Sequence, residues 1–229
     1  MGLSHSPKIV TEGLILCLDA QNPKSYPGSG TTWTNLGSTA INGTLDTGDT
    51  FISDNPQSFL LDGTAAADIA VGTGNTYFPL YSFSLEAWFK TPGLAGGMSA
   101  SGIFGITYGI RLYVDGSGFL RYGVDNGVSL ATISSGAVDY ADDNWHHVIA
   151  TKNLTGGILY VDNELRNTES ESWTGTTRWP TNTANIGRDN NDAIYYFNGN
   201  LALIKIYDIQ LSADQVAQNY NATKGRFGL

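Results

Sequence analysis

Residues 81–90 read Tyr-Ser-Phe-Ser-Leu-Glu-Ala-Trp-Phe-Lys, and their alternation limits the fold more than any other feature of the chain. In an extended backbone Phe83, Leu85, Ala87 and Phe89 fall on one side and Ser82, Ser84, Glu86 and Trp88 on the other. A period of two describes a strand with one face in a core, whereas a helix would scatter the same residues around its axis. Comparable signals recur. Gly13 to Leu18 is a short apolar run ahead of a turn-rich stretch at 22–30. Ile110-Arg111-Leu112-Tyr113-Val114 and Phe119-Leu120-Arg121-Tyr122 flank Asp115-Gly116-Ser117-Gly118, which reads as a hairpin. Residues 145–151 and 157–161 form a second pair, Asp162-Asn163 is placed to turn the chain into Glu164-Leu165-Arg166, and a late strand spans Gly199 to Tyr207. Strands and turns at this spacing predict an all-β sandwich.

One helix breaks the pattern. Ser212-Ala213-Asp214-Gln215 is a capping box, Val216 and Tyr220 lie four apart on one face, and Gly225 is placed to stop the helix. A helix this short packs on the sandwich. No linker rich in Pro, Ser or charge interrupts the chain and no fixed-period repeat occurs, so 1–229 reads as a single domain with its core at about 13–223.

Composition narrows the function classes. Charged residues make up 14% of the chain, against about 25% in an average domain, and 28 glycines in 229 residues exceed the usual share of about 7%. A hydrophobic share of 41% excludes a disordered chain. Lys and Arg number 12 against 21 Asp and Glu, and the resulting net charge of −9 excludes a nucleic-acid partner bound through a basic patch. Cys17, the single cysteine, excludes internal disulfides and a Cys-based zinc site, and within Leu14-Ile15-Leu16-Cys17-Leu18 it reads as a buried, unreactive thiol. No run approaches the roughly 18 apolar residues of a membrane span, and the N-terminal Met-Gly-Leu-Ser-His-Ser-Pro-Lys lacks the apolar stretch of a signal peptide.

Several blocks carry a family resemblance. Ser82 to Phe89, then Trp145-His146-His147-Val148, Leu159-Tyr160-Val161-Asp162, Asn185-Ile186-Gly187-Arg188, Phe197 to Tyr207 and Leu211 to Val216 follow one another in a recognisable order. Together they resemble a laminin-G-like domain of the concanavalin A-like lectin/glucanase superfamily. The resemblance implies a jelly-roll β-sandwich of two antiparallel sheets with a short C-terminal helix. The segments 18–28 and 219–229 are also similar to virion proteins of tailed bacteriophages that carry this domain. That second resemblance implies a virion location, other virion proteins as partners, and a structural role as a decoration, fibre or tail-associated module that can also take cell-surface glycans. A secreted or surface carbohydrate-binding module without catalysis is the alternative. A homo-oligomer stays open, since no heptad stretch encodes one.

The candidate residues follow from chemistry. Retaining glycan hydrolysis needs two acids about 5 Å apart, which glucanases of the resembled superfamily supply from one strand as Glu-x-Asp-x-x-Glu. That motif is absent: Asp162-x-Glu164 straddles a turn and Glu169-Ser170-Glu171 lies in a polar loop, so no catalytic residue and no enzyme is expected. His146 and His147 are adjacent in a strand, point to opposite faces, and read as packing residues. The resemblance also implies calcium, which takes six to eight oxygens. Asp62 stands where such domains have a short Asp-Gly element, and Asp189 and Asp192 frame an oxygen-rich loop; the two segments could share one ion, or be ordinary Asx turns. No other cofactor is expected. Sugar or partner binding needs exposed rings, and the candidates are Trp173, Arg178 and Trp179 in one segment and Tyr195 with Tyr196 in another. The competing reading packs these rings under their own loops or on a neighbouring subunit.

Overall fold

The alternating stretches are strands, and they assemble into two antiparallel sheets facing each other across one core. The computed structural model describes residues 7–64, 67–73, 82–96, 98–106, 109–125, 130–170, 182–189 and 195–229. The first sheet contains β1 (Leu14–Asp19), β4 (Thr50–Ile52), β5 (Ser58–Asp62), β7 (Phe83–Lys90), β12 (Trp145–Asn153), β13 (Gly156–Val161), β14 (Glu164–Glu169) and β16 (Asn198–Tyr207). The second contains β2 (Thr32–Trp33), β3 (Gly43–Thr44), β6 (Ile69–Thr73), β8 (Ala100–Ile106), β9 (Ile110–Asp115), β10 (Leu120–Asp125), β11 (Leu130–Ser134) and β15 (Thr183–Ile186). The spatial orders are β14-β13-β12-β7-β16-β5-β4, with β1 also paired to β16, and β11-β10-β9-β8-β15-β6-β3-β2. Consecutive hairpins (β12-β13-β14, β8-β9-β10-β11, β4-β5 and β2-β3) alternate with pairings between strands far apart in the chain (β7 with β12 and β16, β16 with β1 and β5, β15 with β6 and β8), which is the jelly-roll arrangement. Both hairpins form as expected, and Asp162 and Asn163 take φ of 52° and 66°, the left-handed values that a two-residue turn requires.

The inner faces interlock as the period of two dictates. Phe83, Leu85, Ala87 and Phe89 share one buried cluster with Leu112, Val114, Tyr122, Leu159, Val161 and Ile206, and the Phe83 and Tyr122 rings meet edge-on at 6.4 Å across the sheets. Leu203 departs from this pattern. A bulge between Leu201 and Leu203 sends it to the outer face of β16, where it is buried with Trp88 and Phe227. Cys17 is buried in that same outer cluster, and burial pushes its thiol up to about 11, which leaves it unreactive.

The expectation that β7 has only one face in the core is corrected, because every residue from Phe83 to Phe89 is buried. Helix α1 (Ala213–Thr223) and the 3-10 turn after it (Lys224–Phe227) lie on the outer face. Its start follows the capping box: the Gln215 N–H donates to Ser212 Oγ at 3.3 Å, and the Ser212 N–H donates to Gln215 Oε1 at 2.9 Å. Its end differs from expectation. The chain runs through Gly225 as 3-10 turn and stops at Gly228, where φ is 80°. A buried polar joint fastens this cover. Glu86 Oε1 accepts from Lys205 Nζ at 2.7 Å and His147 Nε2 at 3.0 Å, while its Oε2 accepts from Asn219 of α1 at 2.7 Å. Trp88 Nε1 donates to Thr223 Oγ1 at 2.9 Å, and the Phe227 ring stacks on Trp88 at 3.9 Å.

Candidate functional site

The helical cover ends before the sheet does. Beyond it, Trp145 pairs with Lys90, Lys90 with Asn200, Asn200 with Leu60 and Leu60 with Thr50, a line of cross-strand neighbours from β12 to β4. Directly opposed residues project from the same face, and alternation puts this line on the outer face with Trp88. None of these five side chains is fully buried.

Two depressions lie along the line and share Trp145 and Lys90. One, of about 500 Å³, is walled by Asp142, Asp143, Asn144, His146, Asp162 and Tyr220. The other, of about 310 Å³, is walled by Asp54, Asn55, Pro56, Ser58, Leu60 and Asn200. Trp145 is half-buried, with the Phe227 ring 5.0 Å away on the side of the cover. Asn200 Nδ2 donates to Ser58 Oγ at 3.1 Å, which orients the amide. Lys90 Nζ stands 3.4 Å from Asp143 in a partly exposed pair worth about 0–1 kcal/mol.

The two histidines point to opposite faces, as expected. His147 serves the Glu86 joint, and since an ionised carboxylate only accepts, its Nε2 carries the proton. His146 packs on Phe89 and Tyr140, with Nδ1 2.8 Å from Asp162 and Nε2 3.1 Å from Asp142. Burial alone would lower its basicity; the two carboxylates outweigh that and raise it above the ordinary 6.5. The Asp162 carboxylate also accepts the His147 N–H at 2.8 Å, so the carboxylate nearest to a catalytic pattern in the sequence is committed to holding its hairpin. Glu169, expected in a loop, ends strand β14.

The remaining candidates lie elsewhere or outside the described residues. Trp173, Arg178, Trp179 and Asp192 belong to the latter group. Asp62 closes its own turn, accepting from the Thr64 N–H at 3.0 Å and the Thr64 hydroxyl at 2.6 Å. Asp189 is fully buried, and both its oxygens accept from Arg111 at 2.5 Å. A carboxylate buried against a guanidinium does not fit a calcium ligand, because a second cation would meet the first. Among the described residues no group of three or more His, Cys, Asp or Glu is placed to hold a metal. Arg111 also lies under Tyr195, 5.3 Å from its ring centre, so one face of that ring is taken. Tyr196 is buried against Arg188, which corrects its reading as an exposed ring. Trp145 was not singled out in the sequence, since it reads as part of a strand. The signal was the polar turn Asp142-Asp143-Asn144 immediately before it, which leaves the first ring of the strand at the sheet's open end.

The family model for the concanavalin A-like lectin/glucanases superfamily matches residues 62–217. The chain belongs to this superfamily. Its fold is similar to that of the binding domain of Paraclostridial Mosquitocidal Protein 1, with a TM-score of 0.72 at 14% identity over 92% of this chain and 52% of that one. It is similar also to botulinum neurotoxin type C, whose cell entry depends on interaction with two ganglioside molecules, with a TM-score of 0.70 at 15% identity over 92% and 51%. A Trypanosoma rangeli sialidase matches with a TM-score of 0.65 at 14% identity, over 93% of this chain and 33% of the sialidase. The superfamily member thus spans about half the length of the toxin chains. Among curated proteins none matches significantly.

Proposed function

We propose that the protein binds glycans without cleaving them, at the open part of the outer face around Trp145. The observation that carries the reading is a half-exposed tryptophan between two depressions lined by Asn55, Asn144, Asn200 and carboxylates. A flat apolar ring suits the C–H face of a sugar, while amides and carboxylates meet its hydroxyls from the side. The ganglioside-dependent toxin on the same fold supports the reading. Binding rather than hydrolysis is favoured by the burial of Glu86, the acid on β7, beneath α1 with Lys205 as its partner. Trp145→Ala should lower glycan affinity by at least about tenfold, the loss of a 1.4 kcal/mol contact, while the melting temperature falls by only a few degrees. Titration calorimetry against the best binder on a glycan array, beside a thermal melt, checks this. Unchanged affinity, or release of reducing ends by the wild-type protein, overturns the reading.

The likeness of segments 18–28 and 219–229 to tailed-phage virion proteins favours a place on a phage particle, among other virion proteins, with the glycan on the host surface. Mass spectrometry of purified particles tests that placement. Absence from particles and presence in the medium favours a secreted carbohydrate-binding module instead.

A further inference from the structure

We propose that the ligand is an uncharged oligosaccharide of at least two units, lying across Trp145 with one unit in each depression; this rests on the glycan-binding reading above. Its first ground is shape. Both depressions have Trp145 and Lys90 in their walls, so the indole stands between them and a chain laid across it reaches both, the two serving as one groove. Each alone is of the order of a small-molecule pocket, typically about 300–1,000 Å³, so a single sugar would leave half the groove to water. The polar groups are divided likewise, with Asn144 on one side and Asn55 and Asn200 on the other.

The second ground is charge. Asp142, Asp143 and Asp162 face the larger depression and Asp54 the smaller. The cationic groups of the groove are already engaged: Lys90 faces Asp143 at 3.4 Å, and His146 lies between Asp162 and Asp142 at 2.8 and 3.1 Å. A sialic acid carboxylate or a sulfate entering here would meet carboxylates and find its counter-charge occupied, and like-charge juxtaposition selects against such a partner. Neutral hydroxyls, by contrast, can donate to these same carboxylates. The groove therefore selects for uncharged sugar chains.

The test is an array, followed by calorimetry, of matched oligosaccharides of increasing length, each neutral chain beside the same chain capped with sialic acid. Neutral chains of two or more units should bind at least about tenfold tighter than single sugars, and at least about tenfold tighter than their sialylated partners at low salt. The gap should shrink in high salt, where exposed charges are screened. It should narrow also in the double variant Asp54→Asn, Asp143→Asn, which removes repulsion and frees Lys90. Equal or tighter binding of sialylated chains, or no gain with length, overturns this proposal and leaves the glycan-binding reading standing. No binding to any chain overturns both.

Discussion

Glu86 is fully buried and still ionised, and its surroundings explain how. Burial by itself would raise the carboxyl; the Lys205 ammonium and the hydrogen bond from His147 outweigh that and lower it to about 2. A carboxyl held below its ordinary 4.5 contributes stability that is complete above that value and is lost as pH falls through about 2. Acid titration followed by urea midpoints should therefore show stability draining away below about pH 4.5, the ordinary value from which this group is displaced. At neutral pH, Glu86→Gln leaves Lys205 buried without its counter-charge and should cost about 3–5 kcal/mol, the usual penalty for breaking a buried pair from one side. Denaturant unfolding measures that. A loss below about 1 kcal/mol would mean that the ammonium finds water or another acceptor.

Helix α1 and the 3-10 turn act as one element, a cover over the middle of the outer face. Ser84 pins its approach, donating to the Ile209 carbonyl at 2.9 Å and accepting the Leu211 N–H at 2.9 Å. Phe227 closes its far end, stacked on Trp88 at 3.9 Å and 5.0 Å from Trp145. Phe227→Ala should cost about 3 kcal/mol, at the lower end for a buried ring, and should shift tryptophan emission to the red as water reaches Trp88. The two readouts belong together. Lost stability without a fluorescence shift would mean that the cover closes by another packing. The second sheet carries a smaller element of the same kind. Arg188 and Asp189 cross β8 so closely that a Cβ at Gly102 or Gly105 would strike the Asp189 backbone. Glycine there is a packing requirement rather than a turn.

Across the whole molecule the two ends of the chain close the same sheet. β1 pairs with β16 near the C-terminal end, and Val10 donates its N–H to Asn219 of α1 at 2.8 Å. The span that defines the superfamily match, 62–217, leaves out β1 to β4, nearly all of β5 and the end of the cover. It therefore lacks Leu16, Leu18, Phe59 and Leu61 from the core and Phe227 from the outer face. Each such side chain is worth about 1.5–3 kcal/mol on burial, so five together are comparable with the roughly 5–15 kcal/mol that holds a typical domain. A fragment of residues 62–217 should not fold by itself, and a collapsed proton spectrum against a dispersed one for the full chain checks this. A dispersed spectrum from the fragment would show that the superfamily core is self-sufficient.

What the sequence determined alone is whatever depends on neighbours a few residues away. The inner face of β7 follows from its period of two, the Asp162-Asn163 turn from residues that tolerate positive φ, and the helix start from the Ser212–Gln215 box, because each is set by local geometry. The sandwich, too, was legible, from the number and spacing of such strands and turns. What only the tertiary structure decided depends on residues brought together from far along the chain. Glu86 reads as a solvent-facing acid until Lys205, 119 residues on, and Asn219, 133 residues on, arrive above it. Asp189 reads as a loop ligand until Arg111, 78 residues back, takes both its oxygens. The Trp145 groove has the same origin. Its line of side chains crosses strands whose sequence order says nothing of their order in the sheet, and α1 leaves this part of the face open because its packing on Trp88 and Glu86 ends one row earlier.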